Sequence, residues 1–178
     1  MAKQLVHRGP DDIGFWSDST IGLAHTRLSI IDLGSSKQPM ASQDNRQHLV
    51  FNGEILNYRQ LRATLPYPYR TNGDTEVLLA VYQRYGPDGV TRLRGQFAYA
   101  IHDTEKAETH LWRDRLGILP LYYYLDDTLF AFASEVKALL PILPDIRVDE
   151  ESMHARAQNA DRGIWPRRVR DVHWARPR

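Results

Sequence analysis

The 178-residue sequence contains no cysteine, which excludes disulfides, thiolate metal sites and thiol nucleophiles within it. No apolar run approaches the ~20 residues of a membrane span, and no signal-peptide core is visible. A cytoplasmic location without membrane contact is therefore expected. There is no Gly-rich phosphate loop, no Ser-His-Asp signature and no cluster of metal-ligand type. The seven histidines are scattered, so no metal site is expected. What is present, 42% hydrophobic and 25% charged residues, is ordinary for a globular chain of one domain with a sizeable core.

The net charge of +1 hides an asymmetry. From Met153 onward there are seven arginines, no lysine and two acids, Asp161 and Asp171. That leaves 16 of the 23 basic and 20 of the 22 acidic residues in the body, which is mildly acidic. The reading is a domain over 1–152 and a basic, irregular tail over 153–178. The tail has no hydrophobic period and is rich in Arg, Trp and Pro, as translation in a shifted reading frame would give. The alternative is a nucleic-acid arm, with arginines on phosphates and Trp165 and Trp174 stacking on bases. A charged tail is ordinarily just solvated, so no nucleic-acid partner is expected.

The stretch that organises the body runs from Leu49 to Tyr58. An apolar run suited to a buried strand breaks at Asn52-Gly53, a dipeptide typical of hairpins. Ile55, Tyr58, Leu61 and Leu65 then fall at helical spacing, with Asn57 as N-cap and Gln60 completing a capping box. The dipeptide is thus expected between a strand and a helix. There a glycine N–H and an asparagine carboxamide make the paired donors that an oxyanion of acyl transfer needs.

Two charged residues invite a ligand. Ile21 to His25 and Leu28 to Asp32 read as strands with Thr26-Arg27 between them. An arginine there is costly to bury unless paired, with an internal carboxylate or with a carboxylate ligand. Asp74 follows the turn Thr71-Asn72-Gly73 and precedes Val77, Leu78, Val81, Tyr82 and Tyr85, again helically spaced and stopped by Gly86-Pro87. It is a helix cap or the partner of a ligand ammonium. His7 to Asp12 reads as a turn cluster, and Pro66 to Tyr69 as the end of the first helix. Phe97 to His102, His110 to Trp112, Leu121 to Leu125 and Leu129 to Ala133 read as strands, and Ser134 as the cap of a short helix ended by Pro141. Arg113 to Gly117 is a polar bend. Strands and helices do not alternate strictly, which points to an α+β domain of antiparallel sheets with helices outside.

Taken together, His7-Arg8-Gly9-Pro10-Asp11, Ala24-His25-Thr26-Arg27-Leu28-Ser29-Ile30, Asn52-Gly53-Glu54-Ile55, Gly73-Asp74-Thr75-Glu76 and Arg113 to Tyr122 resemble the class II glutamine amidotransferase domain of glutamine-hydrolysing asparagine synthetases. Phe97-Ala98 and Ala133 to Leu139 extend the resemblance, which covers roughly residues 5 to 150. It implies a four-layer αββα sandwich of the N-terminal-nucleophile hydrolase type. It also implies roles. Arg27 would clamp the α-carboxylate of glutamine and Asp74 its α-ammonium. Asn52 and Gly53 would form the oxyanion hole, and Glu54, with backbone of Leu28 and Ile30, would line the pocket. The ammonia released would serve asparagine synthesis in a second domain, to which ATP and magnesium would belong; this domain itself would need no cofactor. Synthetase-domain and homo-oligomer partners are both compatible with that family.

The sequence departs from the family pattern in lacking the N-terminal cysteine that attacks the amide. The family's first strand is also expected to be missing, so the domain is read as N-terminally truncated and inactive. The alternative reading is a non-catalytic, degenerate fragment that binds glutamine or acts as an interaction module.

Overall fold

The computed structural model describes residues 1–28, 37–143 and 169–171. Nine strands and three α-helices are described, with β1 at Asp12–Ser17, β2 at Gly22–Arg27, β3 at Met40–Ala41, β4 at Gln47–Ile55 and β5 at Gly95–Asp103. They continue with β6 at Glu108–Arg113, β7 at Tyr122–Leu125, β8 at Phe130–Ala133 and β9 at Val169–Asp171. The helices are α1 at Tyr58–Thr64, α2 at Thr75–Tyr85 and α3 at Val136–Leu139. All pairings are antiparallel, in sheets ordered β1-β2, β3-β4-β5-β6 and β8-β7-β9.

The central pair β4–β5 explains the layering. Leu49, Phe51 and Ile55 of β4, with Phe97, Tyr99 and Ile101 of β5, turn one way, against Val77 to Tyr82 of α2 and the partly buried Tyr58 and Leu61 of α1. Their neighbours Val50 and Ala100 turn the other way, against Leu23 and Trp16 of the β1-β2 hairpin and Phe132 of β8. Period-two alternation thus serves two cores at once. Beyond β8, Ala131 and Ala133 pack with Tyr124 against Ala138 and Leu139 of α3. Helix, sheet, sheet and helix follow one another through three contiguous cores, an α+β architecture with its helices outside.

Several local expectations change. The strand at Leu49 does not end at Asn52-Gly53: β4 continues to Ile55, with Asn52 opposite Ala98 and Gly53 opposite Phe97. Tertiary pairing with β5 overrides the turn propensity of the dipeptide. Asn57 precedes α1 but makes no capping bond. Its carboxamide instead accepts from the Arg94 N–H and donates to the Arg92 carbonyl, tying α1 to the entry of β5. Ser134 is not a cap either, since Glu135 holds that position. Thr26 and Arg27 are the last two residues of β2, and the strand expected over Leu28 to Asp32 lies, beyond Leu28, outside the described residues. The turn cluster expected over His7 to Asp12 narrows to Gly9-Pro10-Asp11, since His7 and Arg8 end a 3-10 turn over Ala2–Arg8 and Asp12 opens β1. The tail expected to be irregular contributes β9 beside β7. Ile30 and the rest of the tail lie outside the described residues. No helix among the described residues is long and apolar enough to cross a membrane.

Candidate functional site

Arg27, Asn52 and Asp74 come from three different elements and open onto one cleft of about 360 Å³, within the usual range for small-molecule sites. Leu28, Gly53 and Glu54 line the same cleft. Every predicted site residue among the described ones is therefore brought together.

Arg27 ends β2 opposite Asp12 of β1, and its carbonyl accepts the Asp11 N–H at 3.0 Å. The turn cluster after Arg8 thus braces the strand end that carries the guanidinium. Only 8% of Arg27 is exposed. Leu28, next in the chain, is exposed on the rim.

Asn52 sits on β4 with its carboxamide Nδ2 buried, and no hydrogen-bond partner for that nitrogen is present among the described residues. A buried N–H₂ without an acceptor is costly unless something supplies one. Gly53 has φ +139°, a conformation side chains avoid, and a Cβ there would lie 2.2 Å from the Gln96 carbonyl and 3.0 Å from Leu119. Glycine is thus required by strand packing, and it leaves the chain bare beside Asn52. The Leu119 loop is itself held by Asp114, a buried carboxylate that accepts the N–H groups of Phe97, Leu116, Ile118 and Leu119. Burial opposes ionisation of Asp114, but these bonds outweigh it and hold the carboxyl below its ordinary range. The polar bend read from sequence is therefore a buttress under Gly53.

Asp74 occupies the cap position of α2 yet makes no capping bond. Its Oδ2 accepts the Ile55 N–H at 3.0 Å, so the acid faces back toward β4. Burial pushes its carboxyl up, the nearby Glu54 charge adds to this, and the Ile55 bond opposes it only partly. Such an acid gains from a cation delivered into the cleft. Arg27 and Asp74 thus give the cleft one fixed cation and one acid in want of a cation, with amide donors alongside.

Sequence reasoning missed His25, Gln38, Thr75, Arg8 and Ser134, which also line the cleft. Gln38 lies between β2 and β3 in a stretch that carries no motif, and His25 stands in a strand and in the motif around Arg27 without a role of its own. A second, more apolar cavity of about 410 Å³ adjoins, walled by Leu23, Val50, Ala100 and Phe132 and sharing His25 and Asn52. It is larger, but it contains neither Arg27 nor Asp74, so the charged cleft is the one whose lining suits a polar ligand.

The chain has relatives among known proteins. A model of the glutamine amidotransferase domain matches residues 1–169. Asparagine synthetase [glutamine-hydrolyzing] 1 of Bacillus subtilis is 41% identical over 156 residues, 86% of this chain and 25% of that protein. Asparagine synthetase B [glutamine-hydrolyzing] of Escherichia coli is 42% identical over 151 residues, 83% of this chain and 27% of that protein. The chain thus spans about a quarter of the length of these relatives. Among solved structures, a glutamine phosphoribosylpyrophosphate amidotransferase from B. subtilis superposes with a TM-score of 0.56 at 27% identity, over 66% of this chain and 28% of that one.

Proposed function

The chain belongs to the glutamine amidotransferase domain family, and from that premise we propose that its charged cleft binds L-glutamine. Arg27 takes the α-carboxylate through its bidentate fork, and Asp74 takes the α-ammonium. The side-chain carbonyl then lies against Asn52 Nδ2 and the Gly53 N–H, the donors that would stabilise an oxyanion. Leu28 and Glu54 close the sides. The observation that carries this reading is the buried Asn52 nitrogen without a partner among the described residues, in a cleft that also holds Arg27 and Asp74.

Glutamine hydrolysis needs an attacking atom, and the 178 residues hold no cysteine. The hydroxyls that line the cleft, Thr26, Thr75 and Ser134, lack the easily formed anion of a thiol. The chain is accordingly proposed to bind glutamine without hydrolysing it. The relatives' names state glutamine hydrolysis and asparagine synthesis. A synthetase domain is the partner this reading favours, and no cofactor is assigned to the cleft itself.

Calorimetric titration of the full chain with L-glutamine, with D-glutamine as control, tests the reading. Saturable binding of the L-enantiomer alone is expected. No heat with either enantiomer would overturn it.

A further inference from the structure

Strand β3 pairs with β4 over two residues only, Met40 opposite Leu49 and Ala41 opposite His48. Continued toward the cleft, this register would set Pro39 opposite Val50 and Gln38 opposite Phe51. Proline has no N–H to donate, so the ladder stops there. The Gln38 side chain replaces the missing rung. Its Oε1 accepts the Phe51 N–H at 2.6 Å and its Nε2 donates to the Phe51 carbonyl at 3.0 Å. A carboxamide carries the same donor and acceptor as a backbone peptide, so it can pair with a strand edge.

Two further features hold this clamp in place. His25 Nε2 lies 3.0 Å from the same Phe51 carbonyl. Burial lowers the pKa of this imidazole, which favours the neutral ring donating from Nε2. Gly14, opposite His25 in the β1-β2 hairpin, is the second. A Cβ at Gly14 would sit 1.8 Å from the Gln38 carbonyl oxygen, so only glycine lets the Gln38 backbone close against β1.

We propose that Gln38 is a positioning residue: by gripping the Phe51 peptide it orients the adjacent Asn52 carboxamide and Gly53 N–H, and so sets the preference of the cleft for an amide-bearing amino acid. The proposal rests on the glutamine reading. It concerns only the amide end of the ligand, not the Arg27–Asp74 end.

The test compares L-glutamine with L-norvaline, which keeps the carbon chain and replaces the amide by a methyl group, in calorimetric titrations of the full chain. The wild type binds glutamine more tightly than norvaline. Gln38→Ala weakens glutamine about tenfold and leaves norvaline within about twofold, so the preference collapses. In Gln38→Glu the preference returns as pH falls, because a protonated carboxyl again offers one donor and one acceptor. The glutamine-to-norvaline ratio cancels any titration at Asp74, since both ligands carry the same ammonium. If neither ligand binds the wild type, the glutamine reading and this proposal fall together. If glutamine binds but the wild type shows no preference, or Gln38→Ala keeps it, or both ligands weaken equally, only the positioning role of Gln38 is overturned. Should the alanine variant not fold, hydrogen exchange in the wild type decides: the Phe51 N–H is slow to exchange if Gln38 holds it, and fast exchange refutes the clamp.

Discussion

The carboxylate of Asp74 accepts the backbone N–H of Ile55 at 3.0 Å, tying the start of α2 to the end of β4. This bond fixes the acid beside Asn52, Gly53 and Glu54, although the two elements are separated by α1 and a loop rich in tyrosine and proline. A residue at a helix cap position thereby reaches across to the strand that carries Asn52 and Gly53.

Asp74→Asn keeps an oxygen for Ile55 and removes the charge. Glutamine affinity is expected to fall about tenfold or more, with little change in thermal stability. The pH dependence follows from the raised carboxyl. An ammonium pairs with the ionised acid, so binding releases a proton and affinity in the wild type rises as pH rises through the Asp74 titration. Calorimetry across that range should show the rise in the wild type and its absence in the variant.

Arg27→Ala removes the carboxylate clamp. It should weaken L-glutamine by about tenfold to a hundredfold and weaken norvaline by a similar factor, because both ligands carry the same α-carboxylate. A loss confined to glutamine would place Arg27 at the wrong end of the ligand.

Much of this site was legible because its residues sit in short, distinctive motifs. Arg27 was odd between apolar residues, Asn52-Gly53 was odd before a helical period, and Asp74 opened a strongly periodic segment. What the motifs hid was geometry. Asn52-Gly53 reads locally as a turn, yet nine residues of β4 pair with β5 straight through it, and long-range pairing leaves no mark on a dipeptide. Gln38 was illegible for a different reason: a side chain that replaces a strand rung carries no periodicity. Asn57 looked like a cap and serves instead as a bridge to Arg92 and Arg94, a choice set by what packs nearby.

Gly53→Ala should destabilise the fold by at least about 2 kcal/mol, since the new Cβ meets backbone in a left-handed conformation. Denaturant unfolding monitored by tryptophan fluorescence measures it. Asp114→Ala should cost about 2–4 kcal/mol by the same assay, because four N–H groups lose one buried acceptor.

Glu135 joins the two ends of the described body through His7, Arg8 and Lys137. Burial works against its ionisation, but these partners outweigh it and bring the carboxyl from an ordinary 4.5 to about 2. A carboxyl depressed in the folded state stabilises fully above its unfolded value and loses that contribution as pH falls through its folded one. The wild type should therefore exceed Glu135→Gln in stability at neutral pH. The gap should close between pH 4.5 and about 2, as followed by thermal melts in that interval.

Binding without turnover is best tested in one step, by equilibrium dialysis of the full chain against isotopically labelled L-glutamine, followed by identification of the label that the protein retains. A cleft that holds glutamine without an attacking atom retains the label in saturable amount and returns all of it as glutamine. Label that is not retained, or that returns as glutamate at a rate proportional to the protein, would contradict it.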